Sequence, residues 1–432
     1  MKKIRHNNPL IPSMVIFLAA ILSLLVLYSI VLRKTTAVSQ LSPTSLDVVV
    51  KDTPSLPTLT LPLTTVHIDT PTIPVTQTTT STPYPKISFR KGPYLIYAGD
   101  NTRMDVVWQL DNTENSTIQW GSTDQYLLGS ATTSEYGPNH MHRYSITNLT
   151  PATKYFYRVI VGIGESVGTF LSASDSEAKD LKFFAFGDTR DGTEIHDSID
   201  GLVKAAYLSD PAFQTFILSP GDIVSEGDLD WMWDRQLFDP KFMNIREVFA
   251  NLSYLPVMGN HEGSGTLFQQ YYPMPFVAQR YWSFDYGPAH IVMLDQYSPY
   301  KEGTDQYNWL KTDLSISNKT WKFILLHEPG WSASDNNMTV QRDILPLVEQ
   351  YGVSIIFGGH NHYYARSDVD GVTHLTVGGG GAPLYAPNPN ALNVVTTNRV
   401  HSFIEIVIHG NVLTGIAYDL DGKIIDQFSI SK

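Results

Sequence analysis

Five clusters of polar residues follow apolar stretches in the sequence, and each cluster contains residue types that bind metal ions. They are Gly187-Asp188-Thr189-Arg190, Gly221-Asp222, Gly259-Asn260-His261-Glu262, His327-Glu328-Pro329 and Gly359-His360-Asn361-His362. Carboxylate, amide and imidazole groups form the ligand set of Fe, Mn or Zn sites that use no sulfur. All clusters except the one at His327 begin with glycine, which lets the chain turn sharply and bring the next side chain inward. We therefore predict a metal site built from Asp188, Asp222, Asn260, His327, His360 and His362.

Two of these motifs are too rare to be read as accidental neighbours. At average residue usage, a Gly-Asn-His-Asp/Glu string arises by chance in about one of a few hundred chains of this length. Gly-His-x-His is commoner, at about one or two in a hundred. Both occur here in order and after apolar stretches, so unrelated surface loops do not explain the pattern.

The residues between the clusters alternate between apolar strands and helical stretches, and we assign residues 176–432 to one α/β domain. Short apolar runs predict strands at 182–187, 214–219, 254–258, 290–294, 321–326 and 354–357. Helical spacing predicts helices at 194–208, 228–249, 304–316 and 339–350, with further strands over 374–430. The alternation is typical of sheets covered by helices on both faces. Such sheets gather ligands at the carboxyl ends of their strands, where the clusters lie.

Residues 86–175 differ from this domain, because short alternating strands and turns replace the helices. Residues 104–110 and 154–161 alternate apolar and polar positions, which predicts a β-sandwich. The stretch Leu149-Thr-Pro-Ala-Thr-Lys-Tyr-Phe-Tyr157 resembles the corner of a fibronectin type III domain, and Trp108 would be its core tryptophan. Sandwiches of this kind are often spacers, so the segment predicts fold and not function.

The N-terminal segment predicts a location at a membrane. Residues 11–32 form an apolar run of about one bilayer's length with basic residues on both sides. We interpret it as an uncleaved, single-pass signal anchor, with residues 1–10 in the cytoplasm and the folded part outside the cell. The alternative is a cleaved signal peptide and a secreted protein. Residues 33–85 are rich in Thr, Ser and Pro and predict an extended stalk.

The composition narrows the possible partners. A formal net charge of −12 over 432 residues argues against nucleic acid as the main partner. An acidic protein can still act on phosphate esters when bound cations reverse the local field. The chain has no cysteine, which excludes thiolate ligands and cysteine nucleophiles.

The order of the five clusters resembles that of the calcineurin-like metallophosphoesterases. Within that family, Gly359-His-Asn-His-Tyr-Tyr-Ala-Arg366 resembles the Gly-His-x-His-x-Tyr-x-Arg segment of purple acid phosphatases, which also share a fibronectin-like N-terminal domain. The resemblance implies a sandwich of two mixed sheets flanked by helices. It also implies two divalent or trivalent metal ions, whose identity among Fe, Mn and Zn is open, and a phosphate-ester substrate.

Carried over by position, the resemblance implies a role for each residue. Asp222 would bridge both ions, Asp188 and His362 would bind the first ion, and His261 would face the phosphate to stabilise it or protonate the leaving oxygen. The remaining ligands would bind the second ion: Asn260, His327 and His360.

The sequence departs from the family pattern at the first ion. Arg190 stands where metallophosphoesterases usually have a histidine ligand, and Ser225 stands where purple acid phosphatases have a tyrosine. His196 is the candidate replacement, with a solvated helix histidine as the alternative. Arg190 could hold a substrate phosphate bidentately, or it could form an ion pair with a neighbouring aspartate.

Other polar and aromatic residues have plainer interpretations. His290 and His401 are expected to be structural, and Gly378–Gly381 is expected to be a flexible turn. An aromatic rim over the pocket, or simple loop packing, is expected for Tyr297, Tyr300, Tyr363 and Tyr364.

The sequence thus predicts an acid phosphatase-like hydrolase that cleaves phosphate esters with a metal-activated water. One alternative is a phosphodiesterase or nucleotide phosphatase with the same chemistry. The other is a non-catalytic cell-surface binding or adhesion protein, which the missing ligand at the first ion keeps open.

Overall fold

A computed structural model describes residues 89–274 and 279–432 of the chain. The predicted anchor and stalk lie outside these residues. Within the described ranges, no helix is both long and apolar enough to cross a bilayer.

The described chain contains twenty strands and six α-helices. The strands of the N-terminal segment are β1 Phe89–Ile96, β2 Met104–Leu110, β3 Ser116–Gly121, β4 Gly129–Thr133, β5 Met141–Ile146, β6 Lys154–Val161 and β7 Gly164–Leu171. The later strands are β8 Asp180–Ala185, β9 Phe216–Ser219, β10 Ser253–Pro256, β11 Trp282–Tyr286, β12 Ala289–Met293, β13 Trp321–Leu325, β14 Ile355–Gly358, β15 Tyr364–Val369, β16 Val372–Val377, β17 Val394–Asn398, β18 Ser402–His409, β19 Val412–Asp419 and β20 Ile424–Ser431. The helices are α1 Thr193–Ser209, α2 Asp230–Gln236, α3 Met243–Asn251, α4 Thr266–Tyr271, α5 Asp305–Ile316 and α6 Leu345–Gln350.

Two mixed sheets face each other and enclose the main core. The first has nine strands in the order β20-β19-β18-β8-β9-β10-β1-β2-β5, and the second has seven in the order β11-β12-β13-β14-β16-β15-β17. Phe183 of the first sheet lies 5.6 Å and 6.1 Å, between ring centroids, from Phe323 and Phe357 of the second. The predicted pair of mixed sheets is therefore confirmed.

Helices cover the outer faces of both sheets. In β13, Phe323 and Leu325 face the core between the sheets, whereas Ile324 packs with Leu310 and Leu314 of α5. Successive side chains on a strand point to opposite faces, so a strand segment buried on both sides is apolar throughout, as Phe323–Leu325 of β13 is. On the other side, α1 buries residues at helical spacing against the nine-stranded sheet.

The N-terminal strands form the predicted sandwich, but they do not form a separate body. β4-β3-β6-β7 is one sheet, while β1, β2 and β5 are the end of the nine-stranded sheet. Trp108 is fully buried between the two layers, as expected for the core tryptophan. Because β1 pairs in parallel with β10, one sheet runs through both the sandwich and the α/β part.

The helix predicted over 228–249 is wrong, because the chain forms α2 and α3 with a break between them. Pro240 lies in the break, where its ring and missing N–H disfavour a helix interior. The helix predicted over 339–350 begins with a π-helical turn at Val340–Ile344 before α6. The other predicted elements between residues 180 and 360 occur within a few residues of their expected bounds.

Candidate metal centre

The predicted ligands meet at the carboxyl ends of parallel strands from both sheets. Asp188, Asp222 and Asn260 lie in the loops after β8, β9 and β10, which run parallel. His327 and His360 lie after β13 and β14, which are parallel in the second sheet. Strands that run in the same direction end at the same edge, so the five loops are brought together there.

Three of these ligands have a strained backbone. Asp188, Asp222 and His360 have φ values of 56°, 54° and 65°, a left-handed conformation that is uncommon for residues other than glycine. Residues held in such conformations concentrate at functional sites, where surrounding contacts maintain them. The loops are also close: a Cβ on Gly359 would lie 2.3 Å from Oδ2 of Asp188. The glycine before His360 is therefore required by close approach.

The second-ion ligands converge on one point. Oδ1 of Asn260 is 3.1 Å from Nε2 of His327 and 3.1 Å from Nδ1 of His360, and those two nitrogens are 3.3 Å apart. Oδ1 of Asp222 is 3.4 Å from Nε2 of His327. Four ligand atoms that face each other at these distances are arranged to surround a cation.

The first-ion ligands also lie close to Asp222. Nε2 of His362 is 3.6 Å from Oδ1 of Asp188. Ligand atoms of Asp188, Asp222 and His327 all lie within 4.8 Å of one another, and all three residues are buried. Asp222 therefore adjoins both groups of ligands, as its predicted bridging role requires.

Hydrogen bonds leave one nitrogen of each histidine free to act as a ligand. Nδ1 of His327 bonds to the carbonyl of Pro220 at 2.7 Å, and Nδ1 of His362 bonds to that of Pro383 at 2.9 Å. Each Nδ1 must carry a proton to donate to a carbonyl, so each Nε2 keeps its lone pair. In His360 the roles are reversed, because Nε2 faces the carboxylate of Asp335 at 3.4 Å and Nδ1 faces the other ligands.

The charge balance of the centre fits bound metal ions. Asp188 is fully buried, and burial together with the nearby charge of Asp222 raises its pKa well above the usual range. Burial lowers the pKa of His362 to about 4, so that imidazole is neutral at physiological pH. Arg190 balances part of the negative charge of the two buried carboxylates, and bound cations would balance the rest. This oxygen and nitrogen set suits Fe, Mn or Zn.

Glu262 and Gln296 hold the ligand loops in place. The fully buried Glu262 accepts backbone N–H groups of Gly259, Asp222 and Ile223 at 2.6–3.0 Å. Oε1 of Gln296 accepts the backbone N–H of His327 at 2.8 Å. Glu262 belongs to one of the clusters that the sequence singled out, whereas nothing in the sequence pointed to Gln296.

His261 faces the cavity beside the ligands without joining them. Its Nδ1 bonds to the carbonyl of Ser225 at 2.7 Å, and its Nε2 lies 3.9 Å from Oδ2 of Asp222. The side chain is 29% exposed, so Nε2 can reach a substrate in the cavity. This position suits the predicted contact with a phosphate or its leaving oxygen.

Arg190 lies at the centre and forms the ion pairs expected as one of its two roles. Nη1 is 2.7 Å from Oδ2 of Asp191, and Nε is 3.3 Å from Oδ2 of Asp222. Ser225 does not face the ligands as a tyrosine substitute. Its hydroxyl donates to Asp191, the same carboxylate that pairs with Arg190.

The structure does not bring His196 to the first ion. Its ring is fully buried in α1 against Phe186 and Phe249, with centroids 5.6 Å and 6.0 Å away. Nε2 lies 3.4 Å from Oδ2 of Asp200, one helical turn further on. Burial lowers the pKa of His196 to about 3. Both interpretations of His196, as a metal ligand and as a solvated helix histidine, are wrong, because the side chain packs among apolar residues on the buried face of α1.

Of the four tyrosines expected at the rim, Tyr297 and Tyr300 are half-buried in the loop after β12, and the tyrosine that lines the cavity is one that the sequence did not single out. Tyr363 and Tyr364 are fully buried, so they do not line the opening. Tyr385 is 44% exposed and stacks on His362, with ring centroids 4.0 Å apart. It lines a cavity of about 370 Å³ together with His261, Arg190, Asp335 and four of the predicted ligands, which are Asp222, Asn260, His360 and His362.

Comparison with known proteins agrees with this geometry. Residues 181–364 match the calcineurin-like phosphoesterase family, a range that begins in β8 and contains every predicted ligand. The chain carries a calcineurin-like phosphoesterase domain. Residues 91–175 match the purple acid phosphatase N-terminal domain, which is the family of the sandwich that precedes the phosphoesterase domain. The purple acid phosphatase family uses a dinuclear metal centre. The two groups of predicted ligands that share Asp222 are consistent with such a centre.

Relatives of the phosphoesterase domain and its sandwich carry phosphatase names. The chain is 26% identical over 325 residues to purple acid phosphatase 18 of Arabidopsis thaliana, covering 67% of this chain and 70% of the relative. It is 29% identical over 304 residues to a purple acid phosphatase of Glycine max, covering 65% of this chain and 63% of the relative. These names and the two domains support a phosphoric monoester hydrolase.

A solved structure shares the fold of both domains. The purple acid phosphatase from yellow lupin (Lupinus luteus) seeds superposes with a TM-score of 0.65 at 18% identity, covering 79% of this chain and 74% of the other. At this identity the likeness establishes the fold of the phosphoesterase domain and its sandwich, and not their substrate.

Proposed function

We propose that the chain hydrolyses phosphate monoesters at its metal centre on the outer side of a membrane. The observation that carries the proposal is the pair of ligand groups that share Asp222 at the wall of an open cavity of about 370 Å³. When bound there, two metal ions would supply an activated water and positive charge for the phosphoryl oxygens.

The residues around this centre have distinct proposed tasks. The Nδ1–H of His261 bonds to the carbonyl of Ser225, which aims Nε2 at the substrate, and Nε2 can give a proton to the leaving oxygen when the ring is in its imidazolium form. The guanidinium of Arg190 lines the same cavity and adds a fixed positive charge near the phosphoryl group. Asp188 and Asp222 are held by backbone N–H groups of His360 and His261, at 2.9–3.0 Å, and so keep their positions between turnovers.

Replacement of a ligand tests the proposed reaction. We expect Asp222→Asn and His360→Ala to lower turnover of p-nitrophenyl phosphate by at least about a hundredfold, because each loses a metal ligand. The exposed residues Asp421 and His409 give the matched controls Asp421→Asn and His409→Ala, which should keep wild-type rates. Near-normal turnover in either ligand variant would contradict the proposal. Bound metal with no turnover in the wild-type chain would favour the non-catalytic binding protein instead.

The position of Tyr385 favours substrates that carry an aromatic group or a nucleobase. It therefore supports the alternative in which the chain is a nucleotide phosphatase. Its partly exposed ring lies beside the cavity on His362, where a flat group could stack. Rates for a nucleoside monophosphate, an alkyl phosphate and bis-p-nitrophenyl phosphate would separate the alternatives. A higher rate for the bis-ester would favour the phosphodiesterase.

The proposed location depends on the N-terminal segment. The apolar run of residues 11–32 with its flanking basic residues supports a single-pass anchor. Protease treatment of intact cells should release the folded part, and washing with high salt should not. Recovery of the chain from the medium without residues 1–32 would instead establish a secreted protein.

A further inference from the structure

The guanidinium of Arg190 lies among the atoms that would bind the first ion. Its Nε is 3.3 Å from Oδ2 of Asp222, and its Nη2 is 3.5 Å from Nε2 of His362. A guanidinium stays protonated at every physiological pH and cannot become a metal ligand. A permanent positive charge therefore touches two of the side chains on which the first ion depends.

Side chains that bind no metal hold the guanidinium there. Asp191 accepts Nη1 of Arg190 at 2.7 Å, and it also accepts the hydroxyl of Ser225 and Nε2 of Gln236, the latter at 3.2 Å. The backbone N–H of Arg190 donates to the carbonyl of Asp222 at 3.2 Å. The side chain of Arg190 is only 13% exposed. Both departures from the family pattern, Arg190 and Ser225, thus belong to one hydrogen-bonded group.

Of the four ligands at the second position, only the shared Asp222 contacts Arg190, and it does so through Oδ2, whereas its Oδ1 faces His327. In the described part of the chain, no lysine or arginine side chain bonds or pairs with Asn260, His327 or His360. His360 instead faces the carboxylate of Asp335 at 3.4 Å, which adds negative charge on that side. The local field therefore favours a cation more strongly at the second position than at the first.

We propose that Arg190 makes the two metal positions unequal, so that the chain holds one ion tightly at the second position and another only weakly at the first. The fixed guanidinium supplies part of the positive charge that the first ion would bring. The significance of this difference for catalysis rests on the proposed function. The difference itself is one of metal affinity, and it can be measured without any turnover.

Titration of the metal-free full chain with Mn²⁺ tests the inference. Calorimetry should resolve one tight ion per chain and a second ion at least about a hundredfold weaker, as expected from a like charge a few ångströms away. Electron paramagnetic resonance should give the signal of an isolated Mn²⁺ at one equivalent. A signal from two coupled ions should appear only at high Mn²⁺ concentration.

Variants of Arg190 assign the difference to this side chain. Arg190→His replaces the charge by a possible ligand and should tighten the weaker ion by at least about a hundredfold. Arg190→Gln removes the charge without adding a ligand and should tighten it less. Arg158, a partly exposed residue of the sandwich, gives the control Arg158→His, which adds an imidazole elsewhere and should leave both affinities unchanged.

Each outcome decides the inference. Two ions of similar affinity in the wild-type chain would overturn it, and so would a weak ion that stays weak in both Arg190 variants. Absence of any Mn²⁺ binding would overturn it together with the proposed function. One tight and one weak ion without phosphatase activity would support it while contradicting the proposed function.

Discussion

Glu262 touches no substrate and yet fixes the shape of the metal centre. Its carboxylate accepts backbone N–H groups from two different ligand loops, those of Asp222 and Asn260. The carboxylate is fully buried, so no solvent can take over these bonds. The strained φ of Asp222 is therefore maintained by a residue that lies behind it.

We expect Glu262→Gln to lower the free energy of unfolding by about 3 kcal/mol, because the amide replaces one acceptor by a donor that faces backbone N–H groups. Metal affinity should fall with it, since Asp222 loses its support. Urea denaturation and Mn²⁺ titration measure the two effects. Glu226 is exposed in the neighbouring loop, and Glu226→Gln should stay within about 0.5 kcal/mol of the wild type. An equally small change in Glu262→Gln would contradict this role.

The sequence could single out the residues that converge at this centre because each lies at a fixed place relative to a strand. The sequence before each of three residues is an apolar run followed by a glycine: Asp188, Asp222 and Asn260. This local pattern alone places each of them directly after a strand. Tyr385 and Asp335 could not be predicted in this way. They lie in loops without periodicity, and only contacts with His362 and His360 bring them to the cavity.

His290 illustrates how strands and a helix together alter one side chain. It lies in β12, between Asp285 of β11 at 2.7 Å and Asp313 of α5 at 2.8 Å. Burial opposes the charged ring, but the two carboxylates outweigh it and raise the pKa of His290 to about 9. Two further charged groups lie beside this cluster: Lys319, 3.9 Å from Asp285, and Lys322, which pairs with His290 in the ladder between β12 and β13. The histidine interpreted as structural thus links a strand to the helix that covers it.

The raised pKa of His290 predicts a pH-dependent stability. The pKa of His290 is higher in the folded chain than in the unfolded one. The stabilisation of the folded chain by the charged ring is therefore complete below about pH 6.5 and is lost as the pH rises through 9. At pH 6 the free energy of unfolding of the wild type should exceed that of His290→Gln by about 3 kcal/mol. The difference should shrink towards zero by about pH 10. Urea denaturation at several pH values measures it. His409 is 85% exposed, so His409→Gln should show no such trend. A pH-independent difference for His290→Gln would contradict the prediction.

Helices and strands could be predicted where the burial pattern is simple. The prediction failed where two sequence signals compete. The apolar run of β13 and the helical spacing of α1 each match one element. Over 228–249 the apolar periodicity favoured a single helix, although Pro240 interrupts it. The run Gly378–Gly381 was interpreted as a flexible turn. It instead packs on the Asp188 loop, where Gly380 N–H donates to the carbonyl of Gly187 at 2.8 Å.

At the scale of the whole molecule, the sandwich is part of the structure that carries the metal centre. Tyr94 and Ile96 of β1 are buried in the main core, together with residues of the phosphoesterase domain. Tyr157 of β6 donates to the carbonyl of Ala250 in α3 at 2.9 Å. Lys91 of β1 is fully buried and pairs with Asp230 of α2 at 3.1 Å. The sequence could not predict this continuity, because pairing between β1 and β10 joins residues far apart in the chain.

We therefore expect residues 89–432 to unfold in one cooperative transition. Scanning calorimetry should give a single peak whose calorimetric and van't Hoff enthalpies agree. A spacer domain that folds by itself would give two transitions, and that result would contradict the shared sheet as the unit of stability.

The shared sheet has a mechanical consequence. Within the nine-stranded sheet, β1 lies between β10 and β2 instead of at a sheet edge. Tension applied through the preceding residues would act on an interior strand whose neighbours belong to both parts of the molecule. The load would be distributed across the whole sheet, and no edge strand could be peeled away from the metal centre first.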